Sequence, residues 1–276
     1  MQTSASSPVF PSELWLEIIP HLELKPLIAI RCTSRVLRTF AASADIHPYR
    51  KSFLSIYLDL IDRPWFLETR PWLLKNLRPF DRQAYLDAIA AFPDVYIPED
   101  FAMWILEWPE RAVIRCLWPG LPFDQGFDLR DRVQRRPGWN GLGMVPPPVL
   151  AFTMSEDDEA GLNVFTHTPG LLLWDQVYSR IEYLLLHRGE RFRGYVVGGN
   201  YRFYAEILSN PDEPDPDPDE LFWTSWIAYL EHSVNAVQIQ YKSHQSRGVF
   251  SSGHSRVLDP SERVSASLVA WPPVPA

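Results

Sequence analysis

The chain has 276 residues and a mass of 31.9 kDa, more than the roughly 100–200 residues of one ordinary domain. Its 46% hydrophobic and 13% aromatic content excludes wholesale disorder, because that much apolar material can bury a sizeable core. With 26 Lys and Arg against 34 Asp and Glu, the net charge is −8, which argues against a broad phosphate-binding surface and hence against nucleic acid as a partner.

In chain order, residues 1–9 carry neither positive charge nor an apolar run and are expected to form a flexible N-terminus. No stretch approaches the ~18 uninterrupted apolar residues of a membrane span, so a cytoplasmic or nuclear protein without a membrane partner is expected. Residues 10–62 have helical apolar spacing: Leu14, Ile18 and Leu22 fall at i, i+4 and i+8, and Leu24, Leu27, Ile28 and Ile30 start a second run after a turn between Pro20 and Pro26. Pro11 suits the start of a helix, and Glu13 and Glu17 favour the positive end of its dipole.

Residues 63–242 are expected to form an α+β domain. The triplets Arg63-Pro64-Trp65, Arg70-Pro71-Trp72 and Arg78-Pro79-Phe80 read as helix boundaries, with arginine stacking on an aromatic face as the alternative. Pro98-Glu99-Asp100 opens a helix through Trp108, and Pro109 starts another through Leu117. After a polar, Arg-rich stretch from Gln125 to Gly143, strands are expected at Val149–Thr153, Leu162–Thr166, Leu171–Trp174, Ile181–Leu186, Gly194–Val197 and Tyr201–Ile207. A helix over Phe222–Val234 and a strand over Ala236–Tyr241 complete the pattern. The fold class is therefore α+β: an N-terminal helical module, further helices, then a mainly antiparallel sheet with a packing helix. Residues 211–220, four prolines and six acids, form an acidic Pro-rich loop, and residues 243–276, with eight serines, form a poorly ordered tail.

A search for chemistry yields little. Gly253-His254-Ser255-Arg256-Val257 ends in valine where a nucleophile elbow needs glycine. The seven histidines lack ligand spacing. Asp215, Asp217 and Asp219 match a calcium loop only at its start, since Glu220 replaces its turn glycine. Glu156-Asp157-Asp158-Glu159 reads as a hairpin turn rather than a catalytic carboxylate pair. Cys32 and Cys116 form no C-x-x-C pair and read as small buried hydrophobes in a reducing compartment. Catalytic residues, a metal site and cofactors are not expected, so an enzyme is not the reading; a deep pocket near Trp174, Asp175 and Tyr195 would restore one.

Phe10-Pro11-Ser12-Glu13-Leu14, then Ile18, Leu22, Leu24-Lys25-Pro26-Leu27 and Arg31-Cys32-Thr33-Ser34-Arg35-Val36 resemble an F-box. Pro11, Glu13, Leu14, Ile18, Leu22, Leu27, Cys32 and Arg35 match that family's pattern. Phe10 replaces its leading leucine, Pro26 its common aspartate, and Val36 stands near its usual tryptophan. The resemblance covers about 40 residues and implies a three-helix module that docks on a Skp-type adaptor and through it on a cullin. Residues Phe10, Pro11, Leu14, Ile18, Leu22, Leu27 and Ile30 are the expected adaptor contacts. In the competing arrangement, the stripe packs on the chain's own residues 63–120.

The rest is similar, more loosely, to the SUKH superfamily of α+β interaction domains, through Ile97-Pro98-Glu99-Asp100-Phe101, Leu173-Trp174-Asp175, Gly194-Tyr195-Val196-Val197 and Trp226 with Tyr229-Leu230. An N-terminal F-box joined to such a region resembles fungal F-box proteins. The resemblances imply a non-catalytic substrate receptor of an SCF-type (cullin-RING) ubiquitin ligase, recruiting a target protein through the C-terminal domain. The alternative is a SUKH-type binding or regulatory module unconnected to ubiquitin. Neither target nor target-binding surface follows from the sequence, although Trp139 and Trp223 are conceivable anchors.

Overall fold

Ser34, His47 and Asp81 each stand one residue before a helix and each accept a backbone N–H of its first turn: Leu37 N at 3.2 Å, Tyr49 N at 3.3 Å and Ala84 N at 2.9 Å. Such caps satisfy amides that have no intrahelical partner, and they explain where the chain breaks into short helices. In this computed structural model, residues 10–123, 138–157, 163–176, 180–189, 193–199 and 222–246 are described. Helix α1 (Ser12–Ile18) tightens into a 3-10 turn at Ile19–His21, and α2 (Leu24–Thr33) and α3 (Arg35–Ser43) follow. The longer α4 (Pro48–Ile61) and α5 (Pro64–Asn76) precede α6 (Arg82–Ala90) and α7 (Glu99–Glu107). Proline occupies the first turn of both α4 and α5, where its missing N–H costs nothing.

The sheet is antiparallel and has the order β1-β3-β4-β5-β6, with β1 Gly138–Asn140, β2 Val149–Asp157, β3 Asn163–Gln176, β4 Arg180–Leu185, β5 Val196–Gly199 and β6 Phe222–Trp223. Strand β2 also pairs with β3, along Asn163–Leu171, while β1 pairs with Trp174–Gln176. Residues at both places pair with β4 as well, so β1 and β2 lie end to end on one edge of β3. A closing helix, α8 (Trp226–Ser246), packs on α4, α5 and α7. The fold is α+β, as expected.

Alternation along the strands divides two apolar clusters. Leu171, Leu173, Trp174, Leu184 and Val196 face the helices, whereas Leu172, Ile181, Tyr183, Leu185 and Val197 form a smaller cluster on the other face. A register shift between Leu172 and Trp174 puts Leu173 and Trp174 on the same side. Trp104 lies 4.8 Å from Trp226 and 4.9 Å from Trp118, ring centre to ring centre, which joins α7, α8 and the segment after α7 at the centre of the core. Buried side chains from Ile19 to Tyr241 belong to that one cluster, so no break in the core marks residue 62.

Several expectations are corrected. Pro71 lies inside α5 with its ring exposed, so only Pro64 of the three Arg-Pro-aromatic prolines opens a helix. After Pro109 there is a single 3-10 turn, Glu110–Ala112; left-handed backbone at Arg115 (φ 59°) and Cys116 (φ 112°) is incompatible with the expected helix through Leu117. Residues 163–166 and 171–174 of two expected strands are parts of one strand, β3, which carries Pro169 at a position opposite Ala151. Residues 236–241, expected as a strand, continue α8, which reaches into the expected tail as far as Ser246. Phe222 and Trp223 form β6 rather than the start of that helix. Residues 1–9, 211–220, most of the 125–143 stretch, the strand expected at 201–207 and the tail beyond 246 lie outside the described residues.

A candidate protein-docking surface

Helix α3 packs on both α1 and α2. Trp15 and Ile19 turn inward, Ile19 being fully buried and Trp15 packed against the core. Other apolar residues at the start of the chain turn outward: Phe10 is 54% exposed, Leu14 40% and Ile18 42%, and Pro11 is exposed beside them. Phe10 sits edge-on to Trp15 with ring centres 5.6 Å apart, which orders the start of the stripe. Leu16 on α1 and Val36 on the neighbouring α3 are also exposed. Phe10, Pro11, Leu14 and Ile18 are thus not sealed under residues 63–120. Exposed apolar side chains grouped on one short helical unit are a mark of an interaction surface, because each forgoes burial that a partner would supply.

Not every expected contact residue belongs to that surface. Leu27 is fully buried in the core, and Leu22 and Ile30 are half-buried and packed against it. Leu27 faces inward because α2 is the helix of the three that lies on α4. The available stripe is therefore Phe10, Pro11, Leu14 and Ile18. Charges flank it on both helices: Glu13 and Glu17 on α1 and Arg35 and Arg38 on α3 are exposed.

The N-terminus of α2 is held from outside. Glu23, one residue before it, provides no side-chain cap; Glu107 at the end of α7 provides one, accepting Leu24 N at 2.9 Å. The same carboxylate pairs with Arg50 of α4, whose Nε lies 2.8 and 3.0 Å and whose Nη2 lies 2.6 Å from its oxygens. Nearby, Lys25 Nζ and Arg82 Nη2 each lie 2.8 Å from Glu110, and Arg82 Nη1 donates to the carbonyls of Ile105, Leu106 and Trp108.

Elsewhere the polar groups are structural in placement. Glu182, fully buried on β4, accepts from the Tyr229 hydroxyl and from Arg115 Nη1 at 3.2 Å, and the Arg115 guanidinium stands 5.3 Å from the centre of the Trp174 ring. Glu182 belongs to no sequence motif; its one signal is that it is a lone acid in the run Ile181-Glu182-Tyr183-Leu184-Leu185. Burial pulls the Arg70 guanidinium down to about 10, where it donates to the carbonyls of Arg111 and Val113. Trp174 is buried on the helical face of the sheet, while Tyr195 packs on the opposite cluster, so the trio that an enzyme reading required is not brought together. Burial pushes the half-buried Asp175 carboxyl upward. Of the two conceivable target anchors, Trp223 is a core residue and Trp139 is half-buried. Cys32 is exposed rather than buried, and Cys116 is buried. Among the described residues, no group of three or more His, Cys, Asp and Glu is placed to hold a metal ion, and no helix is long and apolar enough to cross a membrane.

Comparison with family models, with curated proteins and with solved structures finds no match to this chain.

Proposed function

We propose that the protein is a substrate-receptor subunit of an SCF-type ubiquitin ligase, docking on a Skp-type adaptor through α1–α3 and recruiting a target protein through the α+β body. It works in the cytoplasm or nucleus and is not itself the catalyst; its contribution to the reaction is proximity. The observation that carries this reading is the outward stripe of Phe10, Pro11, Leu14 and Ile18 on a three-helix unit whose sequence resembles an F-box. A partner helix laid along it would bury apolar area within a standard interface of ~1,200–2,000 Å². The test is co-elution of the full chain with a purified Skp-type adaptor and cullin in size-exclusion chromatography. A ternary peak supports the reading, and separate elution at micromolar concentration refutes it.

A second reading is favoured by two observations, the burial of Leu27 and the capping of α2 by Glu107: α1–α3 are then structural parts of a SUKH-type binding module. Leu14→Asp with Ile18→Asp, at two exposed positions, separates the two: the first reading predicts that wild type binds the adaptor and the folded variant does not, the second that neither binds.

A further inference from the structure

We propose that Glu107 is a latch that seats the docking unit α1–α3 on the body. The inference concerns how the surface is held, not what docks there, and so does not rest on the adaptor reading. Three observations carry it. An acid in the last turn of a helix faces the negative end of that helix's dipole, yet Glu107 ends α7 and is buried to 8% exposure; α7 alone gives no reason for it. The N-terminus of α2 has free amides and no cap from its own sequence neighbour, and Glu107 supplies the cap from 83 residues away. Arg50, from the first turn of α4, grips both carboxylate oxygens, and this two-pronged pairing fixes direction as well as charge. One carboxylate thus joins the first helix of the body, the last turn of α7 and α2, on which α3 packs and through α3 also α1. The Lys25–Glu110 pair beside it is about half exposed on both sides and is a weak second contact.

Loss of the carboxylate charge therefore loosens α1–α3 without unfolding the body. Hydrogen exchange read by mass spectrometry on the full chain tests this, with Glu107→Gln and, as a control, Glu110→Gln. In Glu107→Gln, amides of Leu27–Thr33 and Leu37–Ser43 exchange faster by on the order of tenfold, while amides of Phe53–Leu60 and Tyr229–Val237 keep their wild-type rates. In Glu110→Gln all four segments stay within twofold of wild type. If Glu107→Gln does not fold, Arg50→Lys, which keeps the positive charge but loses the two-pronged pairing, is read by the same criteria. Unchanged exchange in α2 and α3, equal acceleration in α4 and α8, or an equal effect of Glu110→Gln overturns the proposal.

Discussion

The carboxylate of Asp100, in the first turn of α7, accepts the backbone N–H of Trp226, 126 residues later, at 3.0 Å. It also takes Ile227 N at 3.4 Å and, with its other oxygen, Phe101 N at 2.9 Å. Helix α7 thereby caps two other helices with the acids near its ends: Asp100 caps α8 at one and Glu107 caps α2 at the other. Both acids are buried, where an unpaired charge is costly, and the amides they accept, with Arg50 at Glu107, offset that cost.

Replacing Asp100 by Ala leaves those amides buried without acceptors. A loss of about 2 kcal/mol in unfolding free energy is expected, read from urea denaturation. Burial holds the Asp100 carboxyl above its ordinary range, against the opposing pull of the backbone N–H donors. The folded chain therefore binds this proton more tightly than the unfolded chain. The associated stability is full below the unfolded pKa of about 3.9 and is lost as pH rises through the raised folded value. The stability of wild type relative to Asp100→Asn should fall as pH rises above about 4; a difference that grows with pH would contradict this.

Glu182, Arg115 and Tyr229 act as a unit under α8. Arg115→Met removes the cation that faces a fully buried carboxylate and should cost about 3–5 kcal/mol, whereas Arg115→Met with Glu182→Leu should recover part of that loss, because the buried charge is removed together with its cation. The check is a double-mutant cycle in urea. Additive losses would show that the pair does not interact.

Leu27 and Leu14 share a residue type but differ in burial, 0% against 40% exposed. Leu27→Ala should destabilise by about 2–5 kcal/mol, while Leu14→Ala should change stability by no more than about 0.5 kcal/mol. Thermal melts of the two variants give the comparison directly.

Gly141 lies against β3 so closely that an added Cβ would fall 2.4 Å from the Leu172 carbonyl oxygen. Gly141→Ala must displace backbone and is expected to lower the melting temperature by several degrees. An unchanged melt would contradict the close approach.

The helical half was legible where apolar spacing met capping chemistry. Leu14 and Ile18 share a helix face, and Glu99-Asp100 after Pro98 opens α7 as expected. The failures have particular causes. Ala236 to Tyr241 alternates apolar and polar residues as a strand would, yet Val234, Val237 and Tyr241 are buried at helical spacing while Ile239 is 69% exposed; the long helix outweighs the local alternation. Pro169-Gly170 resembles a turn, but β3 runs straight through it, and the Pro169 carbonyl accepts Leu186 N at 2.8 Å. Of the docking stripe, the F-box resemblance put Leu27 among the contacts, because a sequence pattern does not say which neighbour covers a face. Asp100, Glu107 and Glu182 were illegible as tertiary partners, since the distant groups they bind lie 47 to 127 residues away in sequence.

Isothermal titration of the full chain with a purified Skp-type adaptor, using wild type and the double variant Leu14→Asp, Ile18→Asp, tests the central claim. Both side chains are surface-exposed, so the double variant should keep its circular dichroism and melting temperature. Wild type is expected to bind with a Kd of about 1 μM or tighter, and the variant at least 100-fold more weakly, a loss of about 2.7 kcal/mol. A wild type that does not bind, or a folded variant that binds equally well, would contradict the account.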